Sequence, residues 1–157
     1  MAEYSDTLDR IDRRILAALA GNARLSMPAL ADAVGLSKTP VVARLKRLEA
    51  EGYIRGYHAA LDTDRMGLAQ VAFVQVTLSN TTALALEAFN AAIRDAREVE
   101  ACHMIAGGFD YLLKIRTRDM SDFNLLHGKM LIALPGVRQT RTFFVMKEVI
   151  DNAPLDF

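Results

Sequence analysis

Two short stretches of this 157-residue chain carry side chains suited to binding rather than to bond cleavage. KTPVVARLKRL, residues 38–48, clusters cations that can contact phosphate groups. GGFD, residues 107–110, places two glycines and an acid between two apolar runs. As a plain turn, the glycines permit positive φ and Asp110 caps its own backbone. As a pocket, the open main chain and the Asp110 carboxylate can hold a small α-amino acid, or the carboxylate can order the loop. Both interpretations follow from these residues.

The residues that catalysis or metal binding would need are scattered. His58, His103 and His127 lie far apart in the chain. Cys102 and His103 are adjacent, so on a strand they face opposite sides and cannot act together as nucleophile and base. Metal-ligand and phosphate-loop spacings are also absent from the sequence, so we expect no catalytic residues, no metal site and no cofactor. An enzyme that acts on a small molecule is the least favoured function.

Composition places the chain among folded proteins of the cytoplasm. Hydrophobic residues make up 52% and charged residues 24%, which excludes a disordered chain. The uncharged apolar runs are far shorter than the ~20 residues of a membrane helix, so we expect no membrane partner. The polar N-terminus is unlike a signal peptide, and the lone Cys102 excludes an internal disulfide. Net charge is zero, but residues 1–60 hold nine Lys or Arg against seven Asp or Glu, so the basic excess falls there.

Apolar side chains recur at helical spacing through residues 1–60 and predict three helices. Each helix has a candidate N-cap and a glycine at its end: Asp6 or Thr7 with Gly21, Ser26 with Gly35, and Ser37 with Gly52. On the third helix Leu45 faces inward, and a second set of side chains faces outward at about 100° per residue. The outward set is Thr39, Ala43, Lys46 and Arg47, with Arg44 on its flank.

The second and third helices, with the glycine turn between them, have the spacing of a helix-turn-helix. In that motif the second helix enters the major groove of double-stranded DNA and donates hydrogen bonds to base edges. Free backbone N–H groups at the start of the helix, near Ser37, favour a phosphate. The alternative is a three-helix bundle with a solvated basic face.

After Tyr53 the apolar spacing changes from helical to strand-like. Residues 53–61 are short and β-like, and residues 61–68 form a linker. The domain that follows, 69–157, alternates strands and helices: strand 70–78, helix 82–96, strands 99–106 and 111–117, helix 121–134 and strand 137–146. The order βαββαβ predicts a ferredoxin-like domain, so the fold class is α+β.

The first strand of that domain is apolar on both faces. Val71 and Phe73 lie on one face, and Ala72, Val74 and Val76 lie on the other. Helices cover one face of a ferredoxin-like sheet, whereas a strand that is apolar on both faces is expected to be covered on both. We therefore predict that the open face packs against a second copy of the chain in a two-fold homodimer.

Four motifs together resemble the Lrp/AsnC, or feast/famine, family of bacterial and archaeal transcription regulators. They are LDRIDRRIL from Leu8, VGLSKTPVVARLKRLEAEGYIRGYHAAL from Val34, AGGFDYLLKIRTRDM from Ala106 and LPGVRQTRTFFVM from Leu134. The resemblance covers nearly the whole chain. It implies a winged helix-turn-helix domain, 1–60, joined by a linker to a small ligand-sensing domain. It also implies homodimers that assemble further, often into octamers, with an amino-acid effector between dimers.

The same resemblance assigns residues to two sites. The DNA contacts would come from the start and outer side of the third helix: Ser37, Lys38, Thr39, Arg44, Lys46 and Arg47. The effector site would be built on the glycine-rich loop, from Ala106, Gly107, Gly108, Phe109, Asp110 and Tyr111. Met120 and the strand residues Phe143, Phe144 and Val145 would complete it from a neighbouring subunit.

The resemblance leaves the effector open among leucine, proline and another amino acid. Leucine-responsive members of the family carry an acid in place of Gly108 and a tyrosine in place of Phe143, so leucine is not assumed. The GGFDY, RDM and PGVRQT segments are also similar to activators of proline catabolism in this family. The favoured function is a sequence-specific regulator of amino-acid metabolism genes. The alternative is an architectural protein that wraps DNA and binds no effector.

Overall fold

The structure is a computed structural model that describes residues 8–151, 153 and 154. The described residues divide into two compact units, and the division falls between Ala60 and Leu61. The N-terminal unit runs up to Ala60 and also takes in Ile150, and the C-terminal unit is Leu61–Val149. No helix within the described ranges is both long enough and apolar enough to cross a membrane.

Three helices form the N-terminal unit: α1 (Arg10–Gly21), α2 (Met27–Val34) and α3 (Lys38–Ala50). The N-cap of α1 is Asp9, whose side chain accepts a hydrogen bond from the Asp12 N–H, while the Asp12 side chain accepts one from the Asp9 N–H. The predicted caps Asp6 and Thr7 lie outside the described residues. Ser26 caps α2 and Gly35 ends it with φ 73°, as the sequence predicts.

The apolar faces of these helices meet in one core. Its fully or nearly fully buried members are Ile15, Leu19, Leu30, Ala31, Val34, Val41 and Leu48. Leu45, predicted to face inward on α3, is half-buried against this core. Apolar residues at helical spacing therefore form the buried faces of all three helices.

The segment 53–61 forms no strand, contrary to the sequence prediction. A strand needs a neighbouring strand to pair its N–H and C=O groups, and all strands of the described chain lie in the C-terminal unit. The segment is instead held against the end of α3. The Ile54 N–H donates to the Leu48 carbonyl at 3.2 Å, and the Tyr57 hydroxyl donates to Glu49 Oε1 at 2.7 Å.

The C-terminal unit follows the predicted βαββαβ order. Its elements are β1 (Gln70–Leu78), α4 (Ala83–Arg94), β2 (Val99–Met104), β3 (Tyr111–Thr117), α5 (Met120–Lys129), a 3₁₀ turn (Leu131–Ala133) and β4 (Val137–Phe144). The strands form one antiparallel sheet in the order β2-β3-β1-β4, which is the ferredoxin-like arrangement. The predicted α+β fold class is confirmed.

The second helix of this unit is shorter than the sequence predicts. The spacing predicts a single helix over 121–134, but α5 ends at Lys129, and Met130 departs from helical geometry with φ −113° and ψ −57°. A tighter 3₁₀ turn follows and contains Leu131, which is fully buried. In an uninterrupted helix Leu131 would point about 100° away from Met130 around the axis. The change of geometry at Met130 instead coincides with the burial of Leu131 in the core.

The two faces of the sheet differ in what they contact. Ala72, Val74 and Val76 of β1 belong to the core that packs against α4 and α5. On the opposite face Val71 is 2% exposed, and Phe73 is half-buried beside Phe143 of β4. The same face carries an ion cluster in which Lys114 and Arg116 of β3 pair with two acids, Glu100 and Glu148.

Candidate nucleic-acid interface and ligand loop

The start of α3 is open to solvent and free of side-chain capping. Ser37 is the N-cap residue, yet its hydroxyl accepts no capping hydrogen bond from the helix. Ser37, Lys38 and Thr39 are all exposed. The N–H groups of a first helical turn have no partner within the helix, and the helix dipole favours an anion there. This end of α3 can therefore receive a phosphate.

Lys46 lies on the exposed side of α3 and forms no ion pair with any described residue. Its ammonium group is therefore available to a base edge or a phosphate. We use the name α3 outer face for the exposed start of α3 together with its exposed lysine. It consists of Ser37, Lys38, Thr39 and Lys46.

Arg44 and Arg47 lie differently from what the sequence suggests. The sequence predicts that Arg47 points outward with Arg44 on the flank, but both reach the Asp12 carboxylate on α1. Arg44 Nη1 lies 2.8 Å from Asp12 Oδ1 and 2.6 Å from Asp9 Oδ2. Asp12 is fully buried, whereas the Arg44 and Arg47 side chains stay 30% and 41% exposed. Each guanidinium therefore gives one edge to α1 and keeps other N–H donors for a further partner.

The charges of this cluster reinforce one another. For Asp12, burial raises the pKa, but the hydrogen bonds from Arg44 and Arg47 outweigh it and hold the pKa below the usual 3.8. The backbone N–H of Asp12 and the Arg44 guanidinium lower the pKa of Asp9. Hydrogen bonds to Asp12 raise the pKa of both arginines. All four groups are therefore charged at neutral pH.

The glycine pair of the loop is not explained by turn geometry. Neither Gly107 nor Gly108 has a positive φ, so the positive-φ interpretation is wrong. A Cβ atom on Gly108 would meet no atom of the described residues within 4 Å, and one on Gly107 would lie 3.6 Å from Ile105 Cγ2, an ordinary contact. Neither the backbone nor the packing of one chain requires glycine at these positions.

Asp110 orders the loop by binding the end of β1, the neighbouring strand in the sheet. Its Oδ2 accepts a hydrogen bond from the Leu78 N–H at 2.7 Å, rather than capping its own backbone. Its N–H donates to the Val76 carbonyl at 3.0 Å, and its carbonyl accepts from the Ile105 N–H at 2.8 Å. These bonds fix the loop to the end of β1, while Gly107 and Gly108 stay exposed.

Tyr111, assigned to the ligand site by resemblance, places its side chain elsewhere. It is 1% exposed and stacks on Phe89 of α4, with ring centroids 4.3 Å apart. It shares a face of β3 with Leu113 and Ile115, both fully buried. Because alternate residues of a strand face the same side, Tyr111 is a core residue. At most its main chain can reach a ligand in the loop.

Tyr111→Phe is expected to leave ligand binding unchanged and to keep or slightly raise the melting temperature. Burial raises the pKa of the Tyr111 hydroxyl, and the Asn90 side chain has a smaller, opposite effect. The hydroxyl makes no hydrogen bond of good geometry with a described residue. Deleting a buried, unpaired hydroxyl removes an unfavourable group worth about 1 kcal/mol. Thermal unfolding checks the prediction, and a drop of several degrees would show that the hydroxyl has a partner.

The remaining predicted ligand residues lie toward the other end of the sheet. The register pairs Val76 with Tyr111 near the loop, but Ala72 with Phe144, four residues further back along β1. Four strand residues span about 13 Å. Met120 follows β3 at this far end. The structure therefore does not bring Met120 and Phe143–Val145 together with the loop of the same chain.

These far-end residues are themselves of two kinds. Met120 and Phe143 are 45% and 46% exposed, so their side chains can contact a partner. Phe144 faces the helices and packs edge-on against Phe123, with centroids 5.0 Å apart. Phe144 is thus half-buried against the core, unlike Met120 and Phe143. A cavity of about 360 Å³ also opens at this end, lined by Thr117, Leu126, Met130 and neighbours, but it contains none of the predicted ligand residues.

The histidines and the cysteine have local explanations. His127 Nε2 lies 3.0 Å from the Thr140 hydroxyl, which ties α5 to β4. Cys102 is half-buried beside the core, and burial raises the pKa of its thiol. Across the part of the chain that the structure describes, no three His, Cys, Asp or Glu side chains are placed to hold a metal ion.

Both parts of the chain match known protein families. Residues 8–55 match the winged helix-turn-helix DNA-binding domain, and residues 71–155 match the Lrp/AsnC ligand binding domain. The chain is 49% identical to the proline dehydrogenase transcriptional activator of Rhodobacter capsulatus over 96% of this chain and 98% of that protein. It is 46% identical to the leucine-responsive regulatory protein of Salmonella typhimurium over 90% and 87% of the two chains.

A solved structure shows the same fold. A transcriptional regulator of Neisseria meningitidis, in complex with L-Met, superposes with a TM-score of 0.89 at 35% identity, covering 96% of this chain and 97% of that one. The helix-turn-helix and the four-stranded sheet thus occur together, in the same order, in proteins named as transcription regulators.

Proposed function

The chain belongs to the Lrp/AsnC family of transcription regulators, as its sequence motifs indicated, and we propose that an amino acid bound between copies of the chain controls its DNA binding. It is a helix-turn-helix DNA-binding regulator with an amino-acid ligand-binding domain. We propose further that it acts in the cytoplasm on genes of amino-acid metabolism, that it is not an enzyme, and that its homodimers assemble into octamers.

The distribution of the ligand residues carries the proposal. Gly107 and Gly108 of the loop are exposed, and neither glycine is required by the fold of one chain. The exposed Met120 and Phe143 lie at the other end of the same sheet. One chain therefore supplies two separate halves of a site, and a second chain must bring its Met120 half to the loop of the first. A site shared between copies couples ligand binding to assembly.

The loop fits the polar end of an α-amino acid. Exposed main-chain groups at Gly107 and Gly108 can hydrogen-bond to a carboxylate or an ammonium group, and glycine lets them approach closely. One carboxylate oxygen of Asp110 holds Leu78, and the other can accept from an ammonium group. Apolar Met120 and Phe143 suit an apolar side chain. The first candidates are proline, leucine and methionine. One relative is named a proline dehydrogenase transcriptional activator, another is named a leucine-responsive regulatory protein, and a similar solved structure is a complex with L-Met.

The α3 outer face supports the DNA half of the proposal. Ser37, Lys38 and Thr39 stand at an open helix start, where backbone N–H groups favour a phosphate. Lys46 is exposed seven residues, about two helical turns, after Thr39, so it lies on the same side of α3 and can extend the contact along the groove. Arg44 and Arg47 keep N–H donors beyond those given to Asp12, so they can add phosphate contacts at the flank of the helix.

We expect one or two of the twenty amino acids to raise the melting temperature of the pure protein. A ligand at a hundred times its dissociation constant adds about 2.7 kcal/mol to the native state. The matched variant is Asp110→Ala, which loses the bond to Leu78 and melts lower without ligand, so the ligand-induced shift within each variant is the quantity compared. That shift should vanish in the variant.

A screen in which no amino acid raises the melting temperature would contradict the effector part of the proposal. The architectural alternative would then be favoured, and DNA binding would distinguish it further. The two DNA probes are a target duplex, selected by the wild-type protein from random sequences, and a scrambled version of it. For a sequence-specific regulator, Lys46→Ala weakens binding to the target more than to scrambled DNA, whereas an architectural protein loses affinity for both equally.

A further inference from the structure

Two acids of α1 and its cap lie against the basic residues of the recognition helix. Among the described residues, the cations of α3 are Lys38, Arg44, Lys46 and Arg47. The two lysines have no acidic partner there, while the arginines share the carboxylates of Asp9 and Asp12. Half of the cationic side chains of this helix are thus partly neutralised within the protein.

The two acids differ in burial and in what depends on them. The Asp12 side chain is 1% exposed and holds both arginines. The Asp9 side chain is 50% exposed and pairs only with Arg44. The same Arg44 nitrogen also lies 2.8 Å from Asp12, so Asp12 holds Arg44 without help from Asp9. Removing the charge of Asp9 therefore leaves Arg44 anchored to α1.

Asp9 has one other duty, which a neutral side chain can perform. Its Oδ1 accepts the Asp12 N–H at 2.8 Å as the N-cap of α1. Asparagine is as good an N-cap residue as aspartate. The negative charge of Asp9 is thus not needed for the helix cap or for holding Arg44, and its remaining effect is on the guanidinium that it contacts.

We propose that Asp9 competes with DNA phosphate for Arg44 and thereby limits the affinity of the protein for all DNA. Arg44 is 30% exposed and lies at the flank of the proposed DNA surface, on which this inference rests. A phosphate that approaches Arg44 meets a charge already paired at 2.6 Å with Asp9. Arg44 also contacts Asp12, so a phosphate that binds there either displaces the Asp9 carboxylate or becomes the third anion around one guanidinium, and both weaken the contact.

The test is DNA binding by Asp9→Asn at several salt concentrations, with the full chain and two duplexes, target and scrambled. Each phosphate newly neutralised steepens the fall of log K with log salt by about 0.9. We expect that steepening, with tighter binding to both duplexes by a similar factor at low salt. The gain should shrink about threefold between 50 and 200 mM salt, which is the factor that a slope change of about 0.9 gives.

Two controls separate competition for Arg44 from a general change of charge. Glu87→Gln, at an exposed position of α4, raises the net charge equally but should leave the salt slope as in the wild type. In an Arg44→Gln background, Asp9→Asn should no longer steepen the slope. An equal gain in that background would overturn the proposal, since Asp9 would then act by repulsion alone.

An unchanged salt slope in Asp9→Asn would also overturn the inference. The proposed function would still stand in that case, provided that the wild-type protein selects the target over scrambled DNA. Melting temperatures of all variants verify that the N-terminal unit is folded. If the wild type failed to bind DNA at all, the proposed DNA surface would fall first, so the two failures are distinguishable.

Discussion

Asp12→Ala is expected to lower the free energy of unfolding of the N-terminal unit by about 3 kcal/mol. Asp12 is fully buried, and its carboxylate accepts hydrogen bonds from Arg44, Arg47 and the Asp9 N–H. Removing one charge of a buried ion pair leaves the opposite charge without its partner. Both arginines are partly exposed and recover some hydration, so the expected cost lies at the lower end of the range for such pairs.

Asp32→Ala is the matched control for this variant. Asp32 is an exposed aspartate of α2 in the same unit, so the same chemical change there should alter stability little. Chemical unfolding followed by helix content measures both variants. If the midpoints of Asp12→Ala and Asp32→Ala coincided, the buried cluster would contribute nothing to the fold.

The acid limb of the stability curve gives a second readout of the same cluster. The folded-state pKa of Asp12 lies below the unfolded value of 3.8, so its contribution is present above pH 3.8 and is lost as the pH falls through the folded value. The wild-type protein should lose stability below that pH. Asp12→Ala should show a flatter acid limb, with a residual slope from Asp9 and Asp122, whose pKa values are also lowered.

The Asp12 cluster also shows where sequence interpretation stops. The helix boundaries at Ser26 and Gly35 follow from local rules, because a cap and its partner lie within a few residues. Arg44 and Arg47 lie 32 and 35 residues from Asp12. Helical spacing places them on one side of α3 but cannot tell that α1 presents a buried carboxylate to that side. The sequence held one signal of this cluster, the acids Asp9 and Asp12. Asp12 comes directly after an apolar position of α1, which places its carboxylate near the buried face of the helix.

Of two errors that concern strand residues, one was avoidable and the other was not. Tyr111 has the same parity on β3 as Leu113 and Ile115, so strand alternation alone predicts its burial. The missing strand at 53–61 could not be foreseen from its residues, because strand formation depends on a partner strand. The separation of Met120 from the loop likewise depends on sheet register, and we propose that the chain that completes the site is a second copy.

Gly108→Val should abolish effector binding and leave the ligand-free protein almost as stable as the wild type. The backbone at Gly108 does not have positive φ, and a Cβ there meets no atom of the described part of the chain within 4 Å, so valine fits a single chain. A ligand bound to this exposed main chain would meet the added methyl groups. The stabilisation of about 2.7 kcal/mol expected from a saturating effector should therefore fall close to zero.

Two other glycines supply the comparison that this prediction needs. Gly21, at the end of α1, also lacks positive φ, and a Cβ there would meet no described atom within 4 Å. Gly21→Val should therefore keep the full effector shift. Gly136 has φ 73°, so Gly136→Val should lower the melting temperature without ligand. Thermal unfolding with and without the effector compares all three variants.

The three melting temperatures distinguish a loop that binds the effector from a loop that only shapes the chain. If Gly108→Val melts like the wild type yet keeps its effector shift, the loop is not the ligand site. If it melts as low as Gly136→Val, the glycine is required by the chain itself. Only a stable variant that has lost its ligand response supports a loop kept open for the effector.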